Sequence, residues 1–299
     1  MTRTGLSPSL SESDSMPFLD IHPFDAADRG VKNGCLVKVL STIGEQMFIA
    51  NVTNAVPVGH CFAPIHWNHS NCSDGKVCTV IPANTDPVSG QPEFKATPVE
   101  VKTVKTCLDA QIVSTTPLDT DQLRELSASF WVAQSCEGGM LYTLKFSDSE
   151  KPLTEILDVV LGEESHATVS ASTTSAQRAI NMKDNVVVFA AAIYPSEKAL
   201  QQPDIAQLVS PQCEPNAMHG FLAGTLKAKS RTICTCKQVT QSEIEAVLDS
   251  TPSCSVQQLG ELTGAGTGCG SCTSELENMI GSPKRCTEKR SDTEAACGR

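Results

Sequence analysis

The chain has 299 residues, 40% of them apolar, and carries a formal net charge of −11 with a pI near 5.0. That length leaves room for two or three domains with a sizeable core, and the acidic balance excludes nucleic acid and an anionic membrane as partners, because either demands a basic face. Fourteen cysteines do not make it a disulfide scaffold, since a chain this long and this rich in ordinary core residues has no need of one.

The start, Met1-Thr2-Arg3-Thr4-Gly5-Leu6-Ser7-Pro8, has no apolar h-region, and the longest apolar run, residues 186–194, is too short to span a bilayer. A cytoplasmic protein with no membrane partner is expected. Residues 18–21 read as a strand, and His22-Pro23 leads into a short helix through Asp28 that Gly30 stops. Asn33-Gly34 turns into a strand over 35–40, residues 42–45 turn back into 46–53, and 58–63 give another strand. Short strands separated by turn residues predict a small barrel. Residues 101–122 mix Thr, Asp and Pro and read as a linker.

A second β-rich unit follows, with strands over 130–134 and 140–146, a helix over 153–161, strands over 167–172 and 186–194, and helices over 203–209 and 217–226. Cys35, Cys61, Cys107, Cys136 and Cys213 read as small buried hydrophobes. From Pro283 onward charges alternate among small residues with no apolar pattern, which predicts a disordered tail holding Cys286 and Cys297 as exposed thiols.

The chemistry concentrates near the C-terminus. Cys234-Thr235-Cys236 and Cys269-Gly270-Ser271-Cys272 each present two sulfurs close together, and the stretch between them is long enough for two helices that return the second pair to the first. Such spacing suits a tetrathiolate site, either an iron-sulfur cluster or structural zinc. The run Gly264-Ala265-Gly266-Thr267-Gly268 favours the cluster, because glycine lets backbone approach bridging sulfides closely. A helix starting near Cys272 would aim its amides at the negative site. Thr240 with Glu243 and Ser255 with Gln258 fit the capping-box pattern, predicting helices over 241–248 and 256–262. Ile244, Val247 and Leu248 then share one face, as do Val256, Leu259 and Leu262.

These residues, through Thr263 to Cys272, resemble the bacterioferritin-associated-ferredoxin type of [2Fe-2S] domain. The resemblance implies Cys234, Cys236, Cys269 and Cys272 as thiolate ligands. Further upstream, Thr2-Arg3-Thr4-Gly5, the stretch 21–27, Gly30 to Gly34, Pro64-Ile65-His66-Trp67 and the stretch from Asp86-Pro87 to Lys95 are similar to the C-terminal molybdopterin-dinucleotide-binding domain of molybdenum oxidoreductases. Among these the chain looks most like the assimilatory nitrate reductase catalytic subunit, which carries both domains in this order. The resemblance implies a double-psi β-barrel in which Thr2, Arg3, Thr4 and Gly5 lie on the pterin, Lys95 meets the cofactor and His66 sits near the substrate funnel. Where that family shows an asparagine about eight residues before the Asp-Pro, this chain has Cys78-Thr79, so one amide hydrogen bond to the pterin has no counterpart.

The expected architecture is mainly β with a small all-α C-terminal domain. Residues 1–110 form an N-terminally truncated molybdopterin-dinucleotide-binding barrel, 123–230 a β-rich connecting module, 231–282 the helical [2Fe-2S] domain and 283–299 the tail. No C-x-x-C-x-x-x-C motif, molybdenum-ligand cysteine or catalytic body is present, and neither are a P-loop, G-x-S-x-G or H-E-x-x-H. The resemblance therefore implies the C-terminal portion of a molybdenum nitrate reductase, inactive alone. Its partners would be a missing N-terminal catalytic body, nitrate, and a flavoprotein or ferredoxin that feeds electrons to the [2Fe-2S] cluster. Its cofactors would be that cluster and a partial site for molybdenum-bis(molybdopterin guanine dinucleotide). The competing readings are an electron-transfer or adaptor protein without molybdenum and a structural zinc protein.

Overall fold

Strand β1 (Phe18–Ile21) alternates half-buried with buried residues, as a strand with one face on a core must. The chain leaves it at His22, whose ring accepts the Phe24 amide at 3.2 Å and so caps helix α1 (Pro23–Asp28). Proline at the first helical position costs nothing there, because that amide would have no intrahelical partner. Gly30 then reverses the chain at φ +63°. Strands β2 (Leu36–Leu40), β3 (Glu45–Val52), β4 (Cys61–Phe62) and β5 (Glu100–Val104) complete a five-stranded sheet of order β4-β1-β3-β2-β5. Within it β1 runs parallel to β3, and the other ladders are antiparallel.

This structure is a computed structural model that describes residues 16–148, 152–173, 176–196, 204–214, 216–227, 230–251 and 253–281. Among them the first sheet stays open, with β4 and β5 at opposite edges, and no barrel closes. The strand expected over 58–63 shortens to two residues because a turn, with the His60 amide on the Pro57 carbonyl at 3.1 Å, holds its first half.

The stretch expected as a linker, 101–122, is instead structural. Half of it is β5 and β6 (Leu108–Ser114), and helix α2 (Thr120–Glu125) begins at its end. Strand β6 lies in a six-stranded antiparallel sheet of order β7-β8-β6-β11-β10-β9. Its other members are β7 (Phe130–Cys136), β8 (Gly139–Phe146), β9 (Thr168–Ser172), β10 (Gln177–Lys183) and β11 (Val186–Pro195), with helix α3 (Leu153–Leu161) between β8 and β9. On one face Ala110, Ile112, Tyr142, Leu144 and Phe189 meet α3 residues Leu153 and Ile156. On the other Val113, Ala190, Ala192 and Tyr194 pack against the 3-10 turn Ile205–Val209 and helix α4 (Ala217–Ala223). Helix α4 is shorter than expected because Gly224 takes φ +76° and ends it.

The chain divides into two compact units, Met1–Ala228 and Lys229–Arg299, and both large sheets belong to the first. The loop 67–74 seals the seam between these sheets, burying Trp67 and Cys72 against Leu36, Ile49, Phe130 and Val132. The Ala133 amide donates to the Asn71 carbonyl at 2.8 Å there, so the edge of β7 is covered rather than left open. Cys35, Cys61, Cys107, Cys136 and Cys213 are half-buried, not core; outside the candidate ligands the buried thiols are Cys72 and Cys254. Cys286 and Cys297 lie outside the described residues. No helix among the described residues is long and apolar enough to cross a membrane.

The second unit contains the hairpin β12 (Thr232–Cys234) and β13 (Val239–Thr240), then α5 (Gln241–Ser250), α6 (Val256–Thr263) and α7 (Thr273–Ile280). Both capping boxes form: Thr240 with Glu243 starts α5, and Ser255 with Gln258 starts α6. Ile244, Leu248, Leu259 and Leu276 make the core. Leu262 departs from the expected face and is 63% exposed. The inward stripe of α6 carries Val256, Leu259, Gly260 and Thr263, and Leu262 lies roughly 110° from its centre at 100° per residue. We expect Thr240→Ala to destabilise this unit by about 1 kcal/mol, the usual loss for an N-cap. A lowered urea midpoint for the helical signal checks it.

Candidate metal centre

Local structure brings the four predicted thiols together. Cys234 ends β12 and Cys236 follows in the hairpin turn, while Cys269 leaves the glycine loop and Cys272 is the N-cap of α7. Cys236 Sγ lies 3.7 Å from Cys234 Sγ and 3.8 Å from Cys269 Sγ, and the Cys272 thiol adjoins Cys234. The sulfur contacts thus run from Cys272 to Cys234, from Cys234 to Cys236 and from Cys236 to Cys269. Among the described residues no three or more Cys, His, Asp or Glu surround one ion position. In a [2Fe-2S] cluster each iron takes two thiolates and the irons share inorganic sulfide, whereas a single zinc needs all four sulfurs around one point.

The surroundings favour negative sulfur at Cys234 and Cys269 and oppose it at Cys236 and Cys272. Burial works against charge on Cys234, but the Gly266 amide, the Cys272 thiol and the Lys237 amide outweigh it and lower the thiol below its ordinary value. The Ser271 hydroxyl, 3.0 Å from Cys269 Sγ, and the Ser271 amide bring the Cys269 thiol down to about 7. Cys272 is raised, by burial and by the neighbouring Cys234. At Cys236 the Cys269 amide lowers and the adjacent thiols raise, with a net upward shift. Metal ligation requires thiolates, so amides already aimed at sulfur reduce the cost of deprotonation.

Glycine does specific work in this loop. A Cβ added to Gly268 would stand 2.7 Å from Cys236 Sγ, and Gly266 holds φ +79°. The donor set and this close backbone approach fit an iron-sulfur cluster. Cys234 and Cys272 are buried whereas Cys236 and Cys269 are exposed, so the site has one inner and one outer edge. The Gly266 amide, Ser271 and Lys237 were not singled out by the spacing argument. The signals available for them were the central glycine of Gly264-x-Gly266-x-Gly268, the hydroxyl inside C-x-x-C and the basic residue following C-x-C.

The predicted molybdopterin residues are placed less completely. Thr2, Arg3, Thr4 and Gly5 lie outside the described residues. His66 follows β4 in a loop, its ring centroid 5.7 Å from that of Trp67, and its buried Nδ1 has no hydrogen-bond partner. Such an orphan is the kind of atom a bound polar group would satisfy. Lys95 is exposed in the segment leading to β5. The turn before it is fixed by Asp86, whose carboxylate accepts the Ser89 amide at 2.7 Å and the Val88 amide at 3.0 Å. No hydrogen bond or ion pair joins His66 to Lys95 among the described residues. Cys78, at the departure from the family pattern, sits exposed in the 3-10 turn Val77–Thr79.

Two family models match the chain: a molydopterin dinucleotide binding domain over residues 1–98 and a BFD-like [2Fe-2S] binding domain over residues 232–282. The chain therefore combines a molybdopterin-dinucleotide-binding domain with a [2Fe-2S]-binding one, and these are its two cofactors. It is 26% identical over 310 residues to a nitrate reductase of Klebsiella oxytoca, covering 94% of this chain and 32% of that protein. It is 23% identical over 320 residues to a nitrate reductase of Shewanella frigidimarina, covering 93% and 32% respectively. A shorter match, 37% over 70 residues, covers 23% of this chain and 10% of the F420-dependent formate dehydrogenase subunit alpha of Methanocaldococcus jannaschii. The chain spans about a third of the length of these two nitrate reductases.

Proposed function

We propose that the chain serves a molybdenum-dependent nitrate reductase of cytoplasmic nitrate assimilation, as its electron-entry and cofactor-covering portion. Cys234, Cys236, Cys269 and Cys272 are the ligands of the [2Fe-2S] cluster in this reading. The observation that carries it is the run of contacts joining the four thiols, with the Gly266 and Lys237 amides on Cys234 and the Ser271 amide on Cys269. When bound, the cluster supplies one-electron redox chemistry. The residues of the chain hold the sulfurs as thiolates, screen Cys234 and Cys272 from water and leave Cys236 and Cys269 at the surface.

In the first unit, Thr2, Arg3, Thr4, Gly5, His66 and Lys95 contact the molybdopterin dinucleotide. The open sheet becomes a double-psi barrel once further strands join it. Residues 1–110, 123–230 and 231–282 act as the covering domain, connecting module and relay, with 283–299 as a tail. A catalytic body like the remaining two-thirds of the relatives supplies the molybdenum environment that reduces nitrate to nitrite, and a flavoprotein or ferredoxin supplies electrons. Alone, this chain reduces no nitrate. An adaptor without molybdenum is a weaker reading, because the molydopterin match and the orphaned His66 Nδ1 both lie in the first unit.

The test is iron, acid-labile sulfide and zinc analysis of anaerobically purified chain, with visible and EPR spectra. About two irons and two sulfides per chain and an EPR signal on reduction are expected. About one zinc without sulfide would overturn the relay.

A further inference from the structure

Beyond the four thiols, the described residues of the second unit place a cation, Lys237, at the exposed sulfur edge. Among described residues 230–281 the basic side chains are Arg231 and Lys237, against Glu243, Glu245, Asp249, Glu261, Glu275 and Glu277. Arg231 is committed to Glu275 at 2.7 Å. Lys237 forms no ion pair among the described residues. Its amide lies on Cys234, and its side chain runs along the glycine loop. A Cβ on Gly264 would lie 4.0 Å from Lys237 Cβ and Cγ. One on Gly268 would lie 3.7 Å from Lys237 Cε and 2.7 Å from Cys236 Sγ. The two ends of the loop therefore trace the lysine stem from its root to the carbon that bears the ammonium, beside the exposed Cys236 sulfur.

We propose that Lys237 is a positioning residue that sets the reduction potential of the cluster from its exposed edge. This rests on the [2Fe-2S] reading above. Taking one electron from a one-electron reductant adds a negative charge to a centre already negative from four thiolates. A cation held nearby stabilises the reduced form more than the oxidised one and raises the potential. Among the described residues of this unit Lys237 is the basic side chain without an ion pair, so its ammonium carries the local correction. Because the site is at the surface, salt screens it.

The experiment is an EPR-monitored redox titration of the cluster-loaded full chain, unmodified and as Lys237→Gln, Lys237→Glu and Lys237→Arg, at low and high ionic strength. Lys237→Gln should shift the midpoint to more negative values and Lys237→Glu further in the same direction. Lys237→Arg should stay near the unmodified value, and the differences should narrow at high salt. Four coincident midpoints with iron and sulfide intact would overturn the proposal while leaving the cluster assignment standing. Loss of iron in the Gln variant with retention in the Arg variant would also overturn it, making Lys237 a prop for the glycine loop. An unmodified chain without iron and sulfide would overturn the cluster reading itself, and this one with it.

Discussion

Cys269→Ser is expected to abolish cluster binding and to loosen residues 241–280. The hydroxyl that replaces Cys269 Sγ is a hard, reluctant ligand where a soft thiolate is required. The run of sulfur contacts then ends at Cys236, which among the described thiols would keep Cys234 at 3.7 Å. The helices are coupled to this loss because Cys234 and Cys272 belong to the same core as Ile244, Leu259 and Leu276, so the site and the core form together. A core this small depends on whatever staples it. Gly268→Ala is the informative companion: it keeps all four thiols but drives a methyl to 2.7 Å from Cys236 Sγ, and it should lower iron content severalfold without removing a ligand. Iron and sulfide analysis, visible spectra and amide hydrogen exchange over α5 and α7 check both. A serine variant with full iron and an unchanged spectrum would refute Cys269 as a ligand.

The parts of this chain that were legible in advance are those whose signals are local. The ends of α3 coincide with the expected 153–161, and α5 and α6 begin where Thr240 and Ser255 cap them, because a capping box is read from four consecutive residues. The four thiols were legible for the same reason: two short motifs, each close in sequence, are joined by helices of predictable length. What was hidden depends on partners distant in sequence. Strand β6 contains Asp109 and Gln111 and looks like a polar linker, yet both are buried, and for Asp109 Lys145 on the neighbouring strand and Ser196 supply what a linker would take from water. Strand β10, Gln177–Lys183, escaped notice altogether, since Gln177, Arg178, Asn181 and Lys183 mask the apolar alternation of Ile180 and Met182. Lys237 was overlooked because its significance lies in the path of its side chain over Gly264 and Gly268, which no spacing rule contains.

The same distant pairing sets the second large effect. Lys145 on β8 stands opposite Asp109 on β6, with Nζ 2.6 Å from Oδ2 and side chains only 5% and 1% exposed. Ser196 Oγ donates to the other Asp109 oxygen at 2.6 Å, so the carboxylate is satisfied on both sides. Such a pair contributes little net stability over an apolar equivalent, because taking both charges out of water costs about what their attraction returns. Breaking it is another matter. Lys145→Met fills similar space but strands a buried carboxylate with one hydroxyl partner, and it should cost about 3–5 kcal/mol, seen as a lowered urea midpoint for the first unit. Adding Asp109→Leu should recover most of that loss, since no uncompensated charge then remains. A single variant within about 0.5 kcal/mol of the unmodified chain, the range of ordinary surface changes, would show that Asp109 finds another partner or water. A double variant no better than the single would place the cost in packing of the lysine stem against the six-stranded sheet rather than in the stranded charge.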